Sequence, residues 1–349
     1  MPSLTLNSGV EFFYTDSGVI TAGDYITLVI IHGHTFHSGT FQRLNPFAEP
    51  NSLRIISLNR RCYPGSSAFS AEELTIFSEG TEAERASLLA QQGRDLALFL
   101  EGLIDELSLP RTGGIALIGW SMGAIFLLSL IASVETLPVA TREKLSSFVH
   151  TVVLLQAPSL AFGLPTPAGW LIPHTDPTIA AEARGPAFAK WVSSYFVHGD
   201  LATHNLDHLT YSNTDPLKVS TIERLKPEEL FAIADFAPAA QYDNIVGLSP
   251  FEGPVFKQTN KALFDVTVRG AWSGTKFWNV YGSAEPWNII YAAWFLEDHS
   301  RAADASDLAI HFKVIDGSNH FFVWEDPEKA INELKECLPM LPGVMSHGS

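Results

Sequence analysis

The sequence predicts an α/β fold: a mostly parallel, twisted sheet with helices on both faces, interrupted by a mostly helical insertion. Three observations carry this. Residues 26–31 and 53–58, ITLVII and LRIISL, are short runs rich in β-branched residues, the pattern of strands covered on both faces. A long stretch with helical spacing of leucines separates them from a third apolar run at 115–118. The alternation of strand and helix then lapses from about Pro158 to Thr275 and resumes afterwards.

In chain order, residues 3–14 alternate and break at Asn7-Ser8-Gly9, which predicts a hairpin with Phe12, Phe13 and Tyr14 in its second strand. The strands at 26–31 and 53–58 follow. Between residues 82 and 108, Leu89, Leu96, Leu100, Leu103 and Leu107 recur at spacings of seven, four, three and four, so a long helix carries one apolar face. Leu109-Pro110 ends it. Ile115 to Ile118 is the next strand, joined through that helix by a crossover expected to be right-handed, and the run from Ala124 opens another helix. Residues 151–155, TVVLL, form a further buried strand. The stretch 158–275 is rich in proline, aromatics and short helical pieces, for instance 179–196 and 227–236, and is expected to cap the carboxyl edge of the sheet. Residues 1–157 and 276–349 then make the core, with strands at 277–281 and 310–315 and a closing helix at 327–337.

Composition bounds the partners. A chain of 349 residues, 46% hydrophobic and 17% charged, can bury a full core. Its 22 basic and 38 acidic residues leave a formal charge of −16, which argues against nucleic-acid phosphates and anionic membrane surfaces. Residues 115–134 carry no charge and are nearly long enough to cross a bilayer, but their glycines fit a buried strand-turn-helix better, so no stable membrane insertion is expected. Cys62 and Cys337 lie far apart without metal-ligand or C-x-x-C spacing, so reduced thiols are expected. The N-terminus has neither the basic start nor the apolar core of a signal peptide, and the expectation is a cytoplasmic protein. Oligomeric state is not legible.

Gly119-Trp120-Ser121-Met122-Gly123 is the most informative stretch. A G-x-S-x-G pentapeptide between a buried strand and an apolar helix predicts a nucleophile elbow, a sharp turn that strains the serine backbone and lifts its Oγ clear of the sheet. Glycines on either side remove the Cβ atoms that would collide there. A serine hydroxyl is a poor nucleophile at neutral pH and needs a histidine base oriented by a carboxylate. His320 follows the last strand in Asp316-Gly317-Ser318-Asn319-His320-Phe321, and Glu285 follows the strand before it in Gly282-Ser283-Ala284-Glu285-Pro286. The order Ser121, Glu285, His320 is nucleophile, acid, base.

At these residues the chain resembles the α/β-hydrolase superfamily, over nearly all of its length outside the insertion. His32-Gly33-His34-Thr35 looks like the family's H-G-x turn, and Asn59 to Ser67 looks like a variant of its D-x-R-G-x-G-x-S segment, with asparagine in place of the leading aspartate. The resemblance implies an oxyanion hole made by the backbone N–H groups of His34 and Met122. His32 is expected to hold its turn by hydrogen bonding. Glu285 stands where aspartate is commoner in the family, and Asp235 and Asp316 remain other acids for the role. Serine at the elbow sets the chain apart from the branches that resemble it in fold but use an aspartate nucleophile.

The reading that follows is a serine hydrolase cleaving a carboxylic ester or lactone of a hydrophobic small molecule, with no cofactor and no metal. Alternatives are a thioesterase or acyltransferase with the same triad, or a non-hydrolytic ligand-binding member of the fold. Aromatic residues of the insertion and its border (Trp170, Trp191, Tyr195, Phe196, Phe231, Phe236, Phe251, Trp272) and the later Trp287 and Trp294 supply both cap core and cavity wall. His198, Asp200, His204, Asp207 and His208 raise a metal hypothesis, since His204 and His208 have i, i+4 spacing. The general-base glutamate of zinc hydrolases is missing between them, and a solvated or cap-stabilising cluster is the expectation.

Overall fold

The computed structural model describes residues 2–21, 23–247, 249–302 and 308–341. Its centre is an eight-stranded sheet in the order β1-β2-β4-β3-β5-β6-β7-β8. The strands are β1 (Ser3–Thr5), β2 (Glu11–Asp16), β3 (Ile26–Ile31), β4 (Leu53–Leu58), β5 (Ile115–Trp120), β6 (Val149–Leu155), β7 (Lys276–Gly282) and β8 (Ile310–Ile315). β1 and β2 pair antiparallel as the predicted hairpin, β2 adds antiparallel to β4, and every other pairing is parallel. Every residue of β3, β4 and β5 is buried, which is why their sequences show no alternation.

Successive side chains of each strand feed opposite layers. On one face Val29, Ile31, Leu117, Val152 and Leu154 share a layer with Phe77 of α1 (Ala71–Glu79) and pack against α2 (Glu82–Glu106) and α3 (Gly123–Ala132). On the other, Leu28, Ile30, Ala116, Ile118 and Val153 meet Phe41 and Leu44 of the 3₁₀ stretch Ser38–Phe47 and Ile331 and Leu334 of the Pro327–Lys335 helix. The α2 helix starts at a capping box in which Thr81 accepts from the Glu84 N–H and Glu84 accepts from the Thr81 N–H. Leu89, Leu96, Leu100 and Leu103 are buried as their spacing predicts, while Leu107 lies just past the helix as its C-cap.

The long segment between β6 and β7 divides into two parts. Up to Gly247 it is mostly turns and short helices, among them Arg184–Val192 and Pro227–Ile233, each shorter than the periodic stretch read from sequence. The Ser249–Phe264 helix that follows has Pro254 inside it and packs on α2 and α3, burying Phe251 and Val255 in the same layer. Its buried apolar positions therefore serve the core rather than the cavity.

The first part is tied to the loop after β4, and through it to the turn after β3, by a buried ion pair. Both terminal guanidinium nitrogens of Arg60 donate to Asp243, at 3.0 and 2.7 Å, and the Tyr63 hydroxyl donates to the same carboxylate at 2.6 Å. Arg60 also donates to the carbonyls of His32 and Gly33 at 3.1 and 2.8 Å. Burial alone would raise the Asp243 carboxyl; the Arg60 charge and these hydrogen bonds outweigh it and hold it below the usual carboxylate range. Its stabilising contribution is present above the unfolded-state pKa and fades as pH falls through the folded one. Asp243→Ala leaves the guanidinium buried and unpaired, and is expected to lower unfolding free energy by about 3–5 kcal/mol in a denaturant titration. Asp243→Asn keeps an acceptor and should lose less.

Candidate active site

The turn after β5 is forced by close packing. Ser121 sits at φ +55°, in the left-handed region, and its N–H donates to the Leu155 carbonyl at 2.8 Å. A Cβ on Gly123 would lie 2.2 Å from the Ile31 carbonyl oxygen, and one on Gly119 would lie 2.8 Å from the Ala124 Cα. Only glycine lets the strand and helix close on each other at those two positions. The 32–35 turn runs directly alongside, since a Cβ on Gly33 would be 3.3 Å from the Ser121 Oγ.

His320 and Glu285 are brought together behind this turn. The His320 Nδ1 donates to the Glu285 Oε2 at 2.9 Å, with both side chains buried. The other carboxylate oxygen accepts from the Gly282 N–H at 2.8 Å and from the Gln156 Nε2 at 2.5 Å. The imidazole stacks on the Trp120 ring, centroids 5.0 Å apart, and so is held on a face as well as at a nitrogen. Asp316 is exposed and accepts from the Ser283 hydroxyl, and Asp235 caps a short helix by accepting from the Ala237 N–H. Neither of these two acids contacts His320.

Ser121, Met122, His34 and His320 line one cavity of about 550 Å³, its open mouth included. Its remaining wall is largely apolar, from Leu160, Ile172, Phe188, Trp191, Val192 and Ile289. The N–H groups of His34 and Met122 have no acceptor among the described residues, and Met122 precedes the first residue of α3, where a helix leaves its donors free. Burial lowers the His34 pKa; the ring Nε2 donates to the Asn244 Oδ1 at 2.8 Å and Nδ1 accepts from the Thr35 hydroxyl at 2.7 Å. Next to it His174 is pushed down to about 3 by burial and by the neighbouring His34 and Arg184.

The remaining motif residues have structural explanations. His32 is fully buried, its Nδ1 donating to the Gly33 carbonyl at 2.8 Å and its Nε2 accepting from the Arg60 N–H at 3.0 Å, which fixes one neutral tautomer. Asn59 needs both ends of an amide: its oxygen accepts from the Ser38 N–H and its nitrogen donates to the Pro64 carbonyl. An aspartate there could not make the second bond.

A model of the alpha/beta hydrolase family matches residues 28–334, most of the chain. The chain belongs to the alpha/beta hydrolase family. Several solved structures are similar to the chain. Epoxide hydrolase A from Mycobacterium thermoresistibile is 18% identical, with a TM-score of 0.50 and 97% of each chain covered. A putative aryl esterase from Burkholderia cenocepacia is 13% identical, with a TM-score of 0.49 and 96% of each chain covered. An esterase from Exiguobacterium antarcticum is 15% identical, with a TM-score of 0.47 over 96% of this chain and 97% of that one. At its identity, the likeness to the epoxide hydrolase is one of fold. No curated protein matches the chain.

In this alpha/beta hydrolase the histidine-rich stretch of the insertion is dispersed. The His198 Nε2 donates to the Glu285 carbonyl at 2.7 Å, His204 stacks on Trp294 between Glu297 and Asp298, and the His208 Nδ1 donates to the Asp200 carbonyl at 2.8 Å. Among the described residues no three such side chains converge to hold a metal ion, and no helix is long and apolar enough to cross a membrane. Of the aromatics read from sequence, Trp191 reaches the cavity wall. Phe251 and Trp272 are core, Trp170, Trp287 and Trp294 form a cluster of their own, and Phe231 is 79% exposed. Phe188, His174 and Gln156 carry no motif and stand out only once the chain is folded.

Proposed function

We propose that this protein is a serine hydrolase that cleaves a carboxylic ester or lactone of a hydrophobic small molecule through an acyl-enzyme on Ser121. One observation supports the reading above the others: His320, bonded at 2.9 Å to the buried Glu285 behind it, lines the same apolar cavity as a serine held at φ +55°. With Nδ1 donating to the carboxylate, the imidazole keeps its Nε2 lone pair for the serine proton. The Ser121 Oγ attacks the substrate carbonyl carbon as that proton passes to His320. The N–H groups of His34 and Met122 take the developing oxyanion. Collapse of the tetrahedral species breaks the bond to the alkoxide, which leaves with the proton from His320. Water, deprotonated by the same histidine, then releases the acid and restores Ser121. Residues 158–275 are read as the cap, whose apolar wall selects the non-polar part of the substrate.

A fluorophosphonate probe tests this reading. The adduct is expected on Ser121, with turnover of apolar p-nitrophenyl esters, and both are expected to survive EDTA unchanged. An adduct elsewhere, or activity lost to EDTA and restored by zinc, overturns it.

A further inference from the structure

We infer that Gln156 is a positioning residue for this reaction: its carboxamide fixes the Glu285 carboxylate so that one oxygen is presented to His320. The inference rests on the Ser121 reading and adds a residue that reading does not use. Gln156 immediately follows β6, is fully buried, and stands at φ +54°, a conformation that glycine or asparagine adopts more readily. Its backbone N–H donates to the Val280 carbonyl on β7 at 2.7 Å, which carries the side chain over the loop that holds Glu285.

The neighbours of the amide determine its orientation. The Trp120 indole N–H, a donor only, lies 2.8 Å from Oε1. The Glu285 Oε1 and the Asn319 carbonyl oxygen, acceptors both, lie 2.5 and 2.9 Å from Nε2. One acceptor and two donors are therefore required at a single site, and a glutamine supplies that set. With the Gly282 N–H at 2.8 Å, Glu285 Oε1 has two donors and Oε2 is left for the imidazole. Because Nε2 also holds the carbonyl of Asn319, the residue before His320, one amide spaces the acid loop and the base loop together. Gln156 does not line the cavity. It acts on the substrate only through Glu285 and His320, the titratable groups on that side of it.

Gln156→Met and Gln156→Glu test this, with Ser121 labelling by the fluorophosphonate as the reference. Gln156→Met removes the donors, and kcat and the labelling rate are expected to fall by about tenfold to a hundredfold with KM within about twofold of wild type. Gln156→Glu keeps the shape and the acceptor for Trp120, but can donate to Glu285 only when protonated. Its kcat is expected to fall as pH rises, with a descending limb absent from the wild-type profile, because the second carboxylate then repels Glu285 from His320. Should the methionine variant fail to fold, the pH profile of the near-isosteric glutamate variant decides. A folded Gln156→Met with kcat near wild type, a loss carried by KM, or a Gln156→Glu profile parallel to wild type overturns the role of Gln156 while leaving Ser121 in place. Absence of a Ser121 adduct in the wild type overturns the serine reading, and this inference with it.

Discussion

Ser121→Ala is expected to lower kcat by about 10⁶-fold while leaving the thermal midpoint within a few degrees of wild type. The side chain loses one oxygen at a position where the backbone, not the hydroxyl, makes the structural contact: the Ser121 N–H donates to the Leu155 carbonyl at 2.8 Å, and alanine keeps that bond. The left-handed φ of +55° is as costly for alanine as for serine, so stability changes little. Hydrolysis still detectable over the uncatalysed rate would come from the apolar cavity and the unbonded N–H groups of His34 and Met122. Steady-state kinetics on an apolar ester, paired with a melting curve, check both halves. Substantial turnover in the alanine variant would remove the serine from the mechanism.

Glu285→Gln is expected to lower kcat by about 10⁴-fold with little change in KM. The surroundings of the carboxylate dictate why. Its Oε1 accepts from the Gly282 N–H and the Gln156 Nε2, so the oxygen of a replacement amide must face those two donors. The NH₂ group then points at the His320 Nδ1 and requires it to accept. The ring proton moves to Nε2, the nitrogen that in the proposed mechanism receives the proton of Ser121. Glu285→Asp keeps the charge but shortens the reach by one methylene and should cost less. A near-normal kcat in Glu285→Gln would send the search for the acid elsewhere, although neither Asp235 nor Asp316 contacts His320.

What was legible in the sequence was local. The runs at 26–31, 53–58 and 115–118 became strands because both faces are covered, which gives a short, β-branched and largely apolar signal without alternation. The tight turn at Ser121 was readable for a similar reason, since two glycines, a serine and the flanking strand and helix all fall within one short window. The Glu285–His320 contact could be anticipated because each residue closes a loop directly after a strand of the same sheet. The Arg60–Asp243 pair spans 183 positions and the Gln156–Glu285 bond 129, and no periodicity marks partners that far apart. The Ser249–Phe264 helix was hidden differently: Gly253 and Pro254 in its first half break the helical signature, and its packing on α2 and α3 supplies what propensity lacks.

The segment between β6 and β7 is sewn to both loops that carry Glu285 and His320. The Phe196 N–H donates to the Ala284 carbonyl at 2.9 Å and the His198 Nε2 to that of Glu285 at 2.7 Å, while the Asn319 side chain donates to the Ser193 carbonyl at 2.8 Å. If the segment is the cap we propose, transplanting a foreign one between these two strands would shift the Glu285 and His320 loops even when the new segment suited a new substrate. Any chimaera has to bring a donor for the Glu285 carbonyl and an acceptor for Asn319. On that reading, changing single cavity-wall positions such as Phe188 or Ile172 disturbs those loops less than exchanging the whole segment.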